Sequence, residues 1–340
     1  MNKIIKNKVF KKNLWLEQLS NSIVDPINLL KYLNLDKNIY LRNGTLAKKL
    51  FPFRIPKIFA KRISKNNPND PILLQILPLK KEFKKYNNFV KDPLKEHDSI
   101  LPNLLHKYKN RVLLIVKNGC AINCRYCFRR HFPYFKHKNF KKNLKKIIEY
   151  ISKHNEINEV ILSGGDPLMA KDYELNYLIN LIEKIKHINI LRIHSRLPVI
   201  IPSRINSSLC KILFKSRLNI VLVTHINHFQ EIGNEFKKKM FYLKKINVTI
   251  LNQSVLLYGI NDNYKILSSL SKKLFYSGVI PYYLHILDPV KGASHFQVNV
   301  NNINKIFKKL LENNSGYLVP KIVYEISGKK SKIPINLNYF

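Results

Sequence analysis

From Arg111 onward, short apolar and β-branched runs alternate with longer amphipathic stretches. The runs Val112–Val116, Glu159–Leu162, Ile190–His194, Ile220–Thr224, Val248–Leu251 and Ile280–Ile286 read as strands. Between them Lys142–Lys153, Tyr173–Lys186, Asn206–Lys215, Gln230–Lys244 and Tyr264–Tyr276 have helical spacing. Strand and helix in strict alternation predict a parallel sheet wrapped by helices, and strands covered on both faces are expected to be continuously apolar. This pattern leaves an open doubly wound sheet and a barrel undecided, but in both folds ligands collect at the strands' C-terminal ends.

The flanks read differently. Before residue 105 the chain is helical and irregular. Trp15–Leu19 and Ile27–Leu33 have helical spacing, Asp25-Pro26 suits a helix start, and Pro52, Pro56, Pro68 and Pro71 cut the rest into short pieces. After residue 296 we expect one helix, Asn302–Glu312, then an extended tail from Val319, docked because it is rich in Ile, Val and Tyr. The expected organisation is therefore an N-terminal region 1–105, a core 106–295 and a C-terminal segment 296–340.

Composition changes this picture little. The 340 residues are 45% hydrophobic, enough for a large core and too much for a disordered chain. No run of about 18 apolar residues is present, so no membrane span is expected. The start, Met1-Asn-Lys-Ile-Ile-Lys-Asn-Lys8, lacks the apolar stretch of a secretory signal. The formal charge of +39 raises a nucleic-acid reading. The basic residues are scattered, however, and Lys, Asn and Ile all have A/T-rich codons, so we expect no dedicated nucleic-acid site. Four cysteines in a chain this long do not make a disulfide framework and suit a reducing cytoplasm.

Three of the four lie within eight residues, in Cys120-Ala-Ile-Asn-Cys124-Arg-Tyr-Cys127, directly after the first core strand. Thiolates suit iron–sulfur clusters or zinc. Three on a [4Fe–4S] cluster leave one iron free to chelate a small molecule, whereas a zinc site would need Cys210 or a histidine as a fourth ligand. Ser163-Gly-Gly-Asp-Pro167 follows the second strand, where glycines permit a close backbone approach. The C-x3-C-x2-C spacing and this loop resemble the radical S-adenosyl-L-methionine (SAM) superfamily. That resemblance implies an α/β fold, a partial (β/α)6 TIM-like barrel with a helical N-terminal region and a short C-terminal lid segment.

Further motifs narrow the resemblance. His106-Lys-Tyr-Lys-Asn-Arg111, Leu191-Arg-Ile-His-Ser-Arg196, Asn252-Gln-Ser-Val-Leu-Leu257, Pro281-Tyr-Tyr-Leu-His285, Val319-Pro320 and Ser331-Lys-Ile-Pro334 are similar to the lysine 2,3-aminomutase family. Cys127-Phe-Arg-Arg-His-Phe-Pro-Tyr134, Trp15–Leu19 and Ala47–Phe51 resemble its branch tied to (R)-β-lysylation of elongation factor P. The resemblance implies an isomerase that converts L-α-lysine to (R)-β-lysine with a [4Fe–4S] cluster, SAM and pyridoxal 5′-phosphate (PLP).

It also assigns roles. Cys120, Cys124 and Cys127 would hold the cluster; Gly164, Gly165, Asp166, His225 and Gln253 would face SAM. Lys332 would form the Schiff base with PLP and so should be buried, since a nucleophilic lysine needs a lowered pKa. Arg111 would take the PLP phosphate. Arg129 would pair with the substrate carboxylate as a bidentate donor. Asp288 and Glu325 would hold the distal ammonium, with glutamate at 325 where better-known aminomutases carry aspartate. The cysteines that bind zinc in some relatives are missing from the C-terminus, and no zinc is expected. Implied partners are L-lysine, an electron donor such as flavodoxin or ferredoxin, and elongation factor P through a separate ligase. The competing readings are a radical SAM enzyme that modifies RNA and a non-enzymatic iron–sulfur or zinc scaffold.

Overall fold

The computed structural model describes residues 14–335; the basic start at Met1 and the last five residues of the C-terminal segment lie outside the described residues. The N-terminal region runs through α1 (Leu14–Ser20), β1 (Ser22–Ile23), α2 (Pro26–Tyr32), α3 (Ile39–Gly44), β2 (Ile55–Pro56), α4 (Lys57–Ala60) and α5 (Pro71–Ile76). The Asp25 carboxylate accepts the Ile27 amide at 3.1 Å and Pro26 occupies the first turn, so α2 starts where the dipeptide requires. Asp70 caps α5 in the same way. Trp15, Leu29, Phe59 and Ile72 share one apolar core with Leu144, Ile179, Leu209 and Phe236 of the following helices. The N-terminal region is thus packed into the main core.

The rest of the chain is a nine-stranded sheet with helical crossovers. Its elements are β3 (Leu104–Tyr108), β4 (Arg111–Lys117), α6 (Phe140–Lys153), β5 (Glu159–Gly164), α7 (Asp172–Glu183), β6 (Ile190–Ser195), α8 (Leu197–Ile200) and α9 (Ser207–Lys215). They continue with β7 (Asn219–His225), α10 (Asn234–Lys245), β8 (Thr249–Val255), α11 (Tyr264–Phe275), β9 (Ile280–His285), α12 (Val300–Asn313), β10 (Lys321–Tyr324) and β11 (Ile333–Pro334). Spatial order follows chain order from β3 to β11, and the two edge strands do not pair with each other. Strands β4 to β9 are the six parallel strands of the expected partial barrel. Leu144, Ile147 and Ile151 form the buried stripe of α6, at the spacing of one helix face. Among the described residues no helix is long and apolar enough to cross a membrane.

Several expectations need correction. β3 was not anticipated: it forms an antiparallel hairpin with β4, and the boundary expected at residue 105 falls inside it. The tail is more than docked, because β10 extends the sheet in parallel beside β9 and β11 returns antiparallel to it. β8 runs on to Val255 through polar residues that periodicity read as its end. There Asn252 accepts from Thr224 at 3.0 Å and donates to the Ile226 carbonyl at 3.1 Å, so its amide is satisfied by neighbouring strand β7 and the residue that follows it.

The helix expected over Gln230–Lys244 is split into a 3-10 turn, Phe229–Glu231, and α10. The break has a cause. The Glu231 carboxylate turns back to accept the Asn227 and His228 amides, and the Arg62 guanidinium packs where a side chain on Gly233 would sit.

Candidate active site

The cysteine loop leaves the C-terminal end of β4. Its own geometry is held from behind by Arg125, which is fully buried between two of the cysteines in the chain. The Arg125 guanidinium donates to Glu82 at 2.9 and 2.6 Å and to the Phe51 and Pro52 carbonyls at 2.8 and 3.0 Å, and Arg130 adds a 2.7 Å bond to the same Glu82. All three charged side chains are sealed from solvent. Removing one partner of a buried pair leaves the others uncompensated. Glu82→Gln is therefore expected to destabilise the protein by about 3–5 kcal/mol, measured as a lower unfolding midpoint.

Cys120, Cys124 and Cys127 are free, half-buried and line one cavity. Burial pushes the Cys120 and Cys127 thiols up, Cys127 to about 11, and their mutual proximity adds to this. A cationic centre would reverse that preference, because a coordinating thiol gives up its proton. Among the described residues no His, Cys, Asp or Glu side chains gather closely enough to hold a single metal ion. Three unpaired thiols on one wall fit a cluster in which each binds a different iron. Cys210, the alternative fourth ligand for zinc, is buried on the α9 face and does not line the cavity.

Behind the cysteines lies a polar layer that the sequence did not reveal. Arg196 donates to the Cys124 sulfur at 2.6 Å, to the Tyr126 hydroxyl at 2.8 Å, to Gln75 at 2.7 Å and to Glu231 at 2.8 Å. His225, at the end of β7, stacks on Tyr126 and sits 2.9 Å from its hydroxyl. Burial, with the Arg196 charge beside it, holds this imidazole well below its usual range, so it is neutral. Gln253 pairs with His225 in the sheet, lines the cavity, and its side-chain amide makes no hydrogen bond among the described residues.

The glycine loop differs in detail from the expectation. Gly164 has a φ of +119°, and a Cβ there would meet the Lys117 carbonyl at 2.5 Å; one on Gly165 would meet the Gly119 carbonyl at 2.4 Å. The close approach these glycines allow is to the end of β4 and to Gly119, the residue before Cys120. The Asp166 carboxylate is engaged within the protein: it accepts from Ser195 at 2.7 Å, the Arg196 amide at 2.9 Å and the Leu197 and Leu168 amides at 3.0 Å. Its role in the structure is to lock this loop to the end of β6. Its backbone amide is taken as well, donating to the Gly119 carbonyl at 3.0 Å, and its carbonyl accepts from Met169 at 3.1 Å, so what the loop offers a ligand is the remaining lone pairs of its carbonyl oxygens.

The cavity is about 630 Å³, within the range of cofactor sites. Besides the cysteines it is lined by Arg111, Asp288, Glu325 and Lys332. Arg111 lies over the Tyr108 ring at 4.2 Å and donates to Asn110 at 3.1 Å. Lys329 and Lys330 are exposed, whereas Lys332 turns inward. Lys332 is less buried than expected: its side chain is 20% exposed and ion-paired with Glu325. Burial pushes the Glu325 carboxyl up, but the Lys332 and Lys107 ammonium groups outweigh this and hold it down at about 2. Asp288 has no hydrogen-bonded side-chain partner among the described residues, and burial beside the Glu325 charge raises it to about 7.

Arg129 also departs from the expectation of a free fork. Its Nε donates to Glu96 at 2.7 Å and one terminal nitrogen donates to Ser163 at 3.0 Å, so only Nη2 is unengaged among the described residues. Sequence pattern alone does not mark Glu96 or Lys107 as site residues: Lys107 lies inside the His106–Arg111 motif, whereas Glu96 sits in a loop with no periodic signal.

The donor sets therefore fit the three cofactors: thiols for a cluster, an amine and an arginine for PLP, and an open side-chain amide with glycine-loop carbonyls for SAM. Comparison with known proteins agrees. The Radical SAM superfamily profile matches residues 114–261, from β4 through β8. The chain is 54% identical over 336 residues to the L-lysine 2,3-aminomutase of Buchnera aphidicola subsp. Baizongia pistaciae (strain Bp), covering 98% of this chain and 99% of that protein. It is 51% identical to the L-lysine 2,3-aminomutase of Escherichia coli (strain K12), covering 95% and 94%. It is 36% identical to that of Clostridium subterminale, covering 96% and 79%. With such similarity along nearly its whole length, the chain belongs to the lysine 2,3-aminomutase family of radical SAM enzymes.

Proposed function

We propose that this chain converts L-α-lysine to (R)-β-lysine in the cavity described above, using a [4Fe–4S] cluster, SAM and PLP. The observation that carries the reading is that a single cavity is lined by three thiols together with a lysine amine and two carboxylates. When bound, the cofactors supply an organic radical to remove hydrogen and a conjugated ring system to spread the unpaired electron.

The protein's own groups bind and orient. Cys120, Cys124 and Cys127 hold the cluster; the backbone of Gly164, Gly165 and Asp166, with His225 and Gln253, faces SAM. Lys332 holds PLP covalently and Arg111 takes its phosphate. The Arg129 Nη2 meets the substrate carboxylate, while Asp288 and Glu325 hold the distal ammonium. Glu325 is charged throughout the working pH range, so its extra methylene changes reach and not charge. The strand pair β10–β11 brings Glu325 and Lys332 to the cavity and excludes water from that side, which protects a radical that water-borne reactants would quench.

Incubation with labelled L-lysine, SAM and dithionite under anaerobic conditions, followed by chiral separation, tests the reading. (R)-β-lysine is expected; its absence with cluster and PLP both loaded refutes the proposal. The pH dependence follows from Asp288. Raised to about 7, its carboxyl is mostly neutral at pH 6 and mostly ionised at pH 8. Attraction for the substrate ammonium grows as the pH rises through this window, so KM for L-lysine should fall about tenfold from pH 6 to pH 8. Asp288→Asn should raise KM and flatten the profile.

We further propose a reduced flavodoxin or ferredoxin as electron source. The β-lysine would pass to a separate ligase that modifies elongation factor P, and the setting would be the cytoplasm. Purified ligase and elongation factor P, added to the reaction, should acquire the label.

A further inference from the structure

Glu96 is buried in the cavity wall, in the loop before β3, and belongs to none of the sequence motifs. The Asp92 carboxylate fixes its backbone, accepting the Glu96 and His97 amides at 2.9 Å each. Its own carboxylate has two partners. One oxygen accepts the Arg129 Nε at 2.7 Å and the other lies 2.8 Å from the Lys107 ammonium. Burial pushes this carboxyl up, but Arg129 and Lys107 outweigh it and keep it ionised. Lys107 also reaches Glu325 at 3.3 Å, so alternating charges run from Arg129 through Glu96, Lys107 and Glu325 to Lys332.

A guanidinium is planar, so fixing two of its nitrogens fixes the third. Glu96 holds Nε, and Ser163 with the Gly164 carbonyl holds one terminal nitrogen at 3.0 and 3.4 Å. What remains is Nη2. We infer that Glu96 is a positioning residue that aims Nη2 of Arg129 at the carboxylate of the amino-acid substrate. It sets preference for an amino acid over the corresponding diamine without touching the substrate itself. The inference rests on the proposed role of Arg129.

The test uses the holoenzyme, loaded anaerobically with cluster, PLP and SAM but without reductant. L-lysine and cadaverine, the same chain lacking the carboxylate, are titrated separately against the visible absorption of bound PLP. Glu96→Gln is expected to weaken L-lysine by about tenfold or more while cadaverine changes less than about threefold, since only the charge-assisted carboxylate contact is lost. Glu96→Asp, which keeps the charge and shortens the reach, should give an intermediate ratio and serves if the glutamine variant does not fold. A lysine-to-cadaverine ratio that stays at the wild-type value in these variants overturns the inference, as does equal weakening of both ligands. Arg129→Lys separates the two layers. If it collapses the ratio and the Glu96 variants do not, the Glu96 inference alone fails. If it too leaves the ratio unchanged, the role of Arg129 is wrong and the inference falls with it.

Discussion

Replacing Cys124 with alanine is expected to reduce β-lysine formation to the limit of detection and to strip most of the iron from the purified protein. The sulfur is one of three thiols on the cavity wall, and the fourth cysteine, Cys210, does not line that cavity. A cluster bound by two thiolates would have two open irons and be lost or degraded. The fold should survive the change, because the loop is anchored by Arg125 and by the Cys127 amide bonded to the Cys124 carbonyl at 3.1 Å, and neither needs the sulfur. Iron and sulfide content, with the low-temperature paramagnetic resonance of the reduced protein, measure the loss. Cys210→Ala is the control. That thiol is buried on α9 away from the cavity, so iron content and turnover should match the wild type. Retained turnover in Cys124→Ala, or lost iron in Cys210→Ala, would show that the ligand set is wrong.

Lys332→Ala should also abolish turnover, but through the other cofactor: PLP's visible absorption is expected to vanish while the iron stays. Of the three clustered lysines only Lys332 turns into the cavity, and Lys329→Ala and Lys330→Ala should retain both absorption and activity. A second consequence concerns Glu325. Its carboxyl is depressed in the folded protein, so its pairing stabilises the fold above the ordinary carboxylate range and loses that effect as pH falls toward about 2. Without Lys332 the depression shrinks to what Lys107 and Tyr108 provide, and acid unfolding should begin at a higher pH. An unchanged acid-unfolding midpoint in Lys332→Ala would deny the ion pair any role in stability.

Much of this protein could be read without coordinates. The six parallel strands and their helices are encoded by local periodicity, since an apolar run flanked by amphipathic helices has few other ways to bury itself. The cysteine triplet, the glycine loop and the Asp25-Pro26 helix start depend on residue type at short spacing, which a linear chain displays directly.

Tertiary structure decided the rest. β3, β10 and β11 are short or half-polar, and become strands only because a neighbouring edge offers hydrogen bonds; Asn252 continues β8 only because neighbouring strand β7 and the residue that follows it satisfy its amide. Glu82 and Glu96 are charged residues in sequence contexts that suggest nothing, and Arg196 closes a family motif that does not disclose its partners, yet each is buried against groups distant along the chain. Asp166, expected to face a ligand, is taken up by backbone amides of the next strand's end. Local pattern specifies the central parallel strands and the helices between them. Which charges are buried, which are paired and which remain free to meet a substrate depends on groups brought together from far apart in the chain, and only folding sets that.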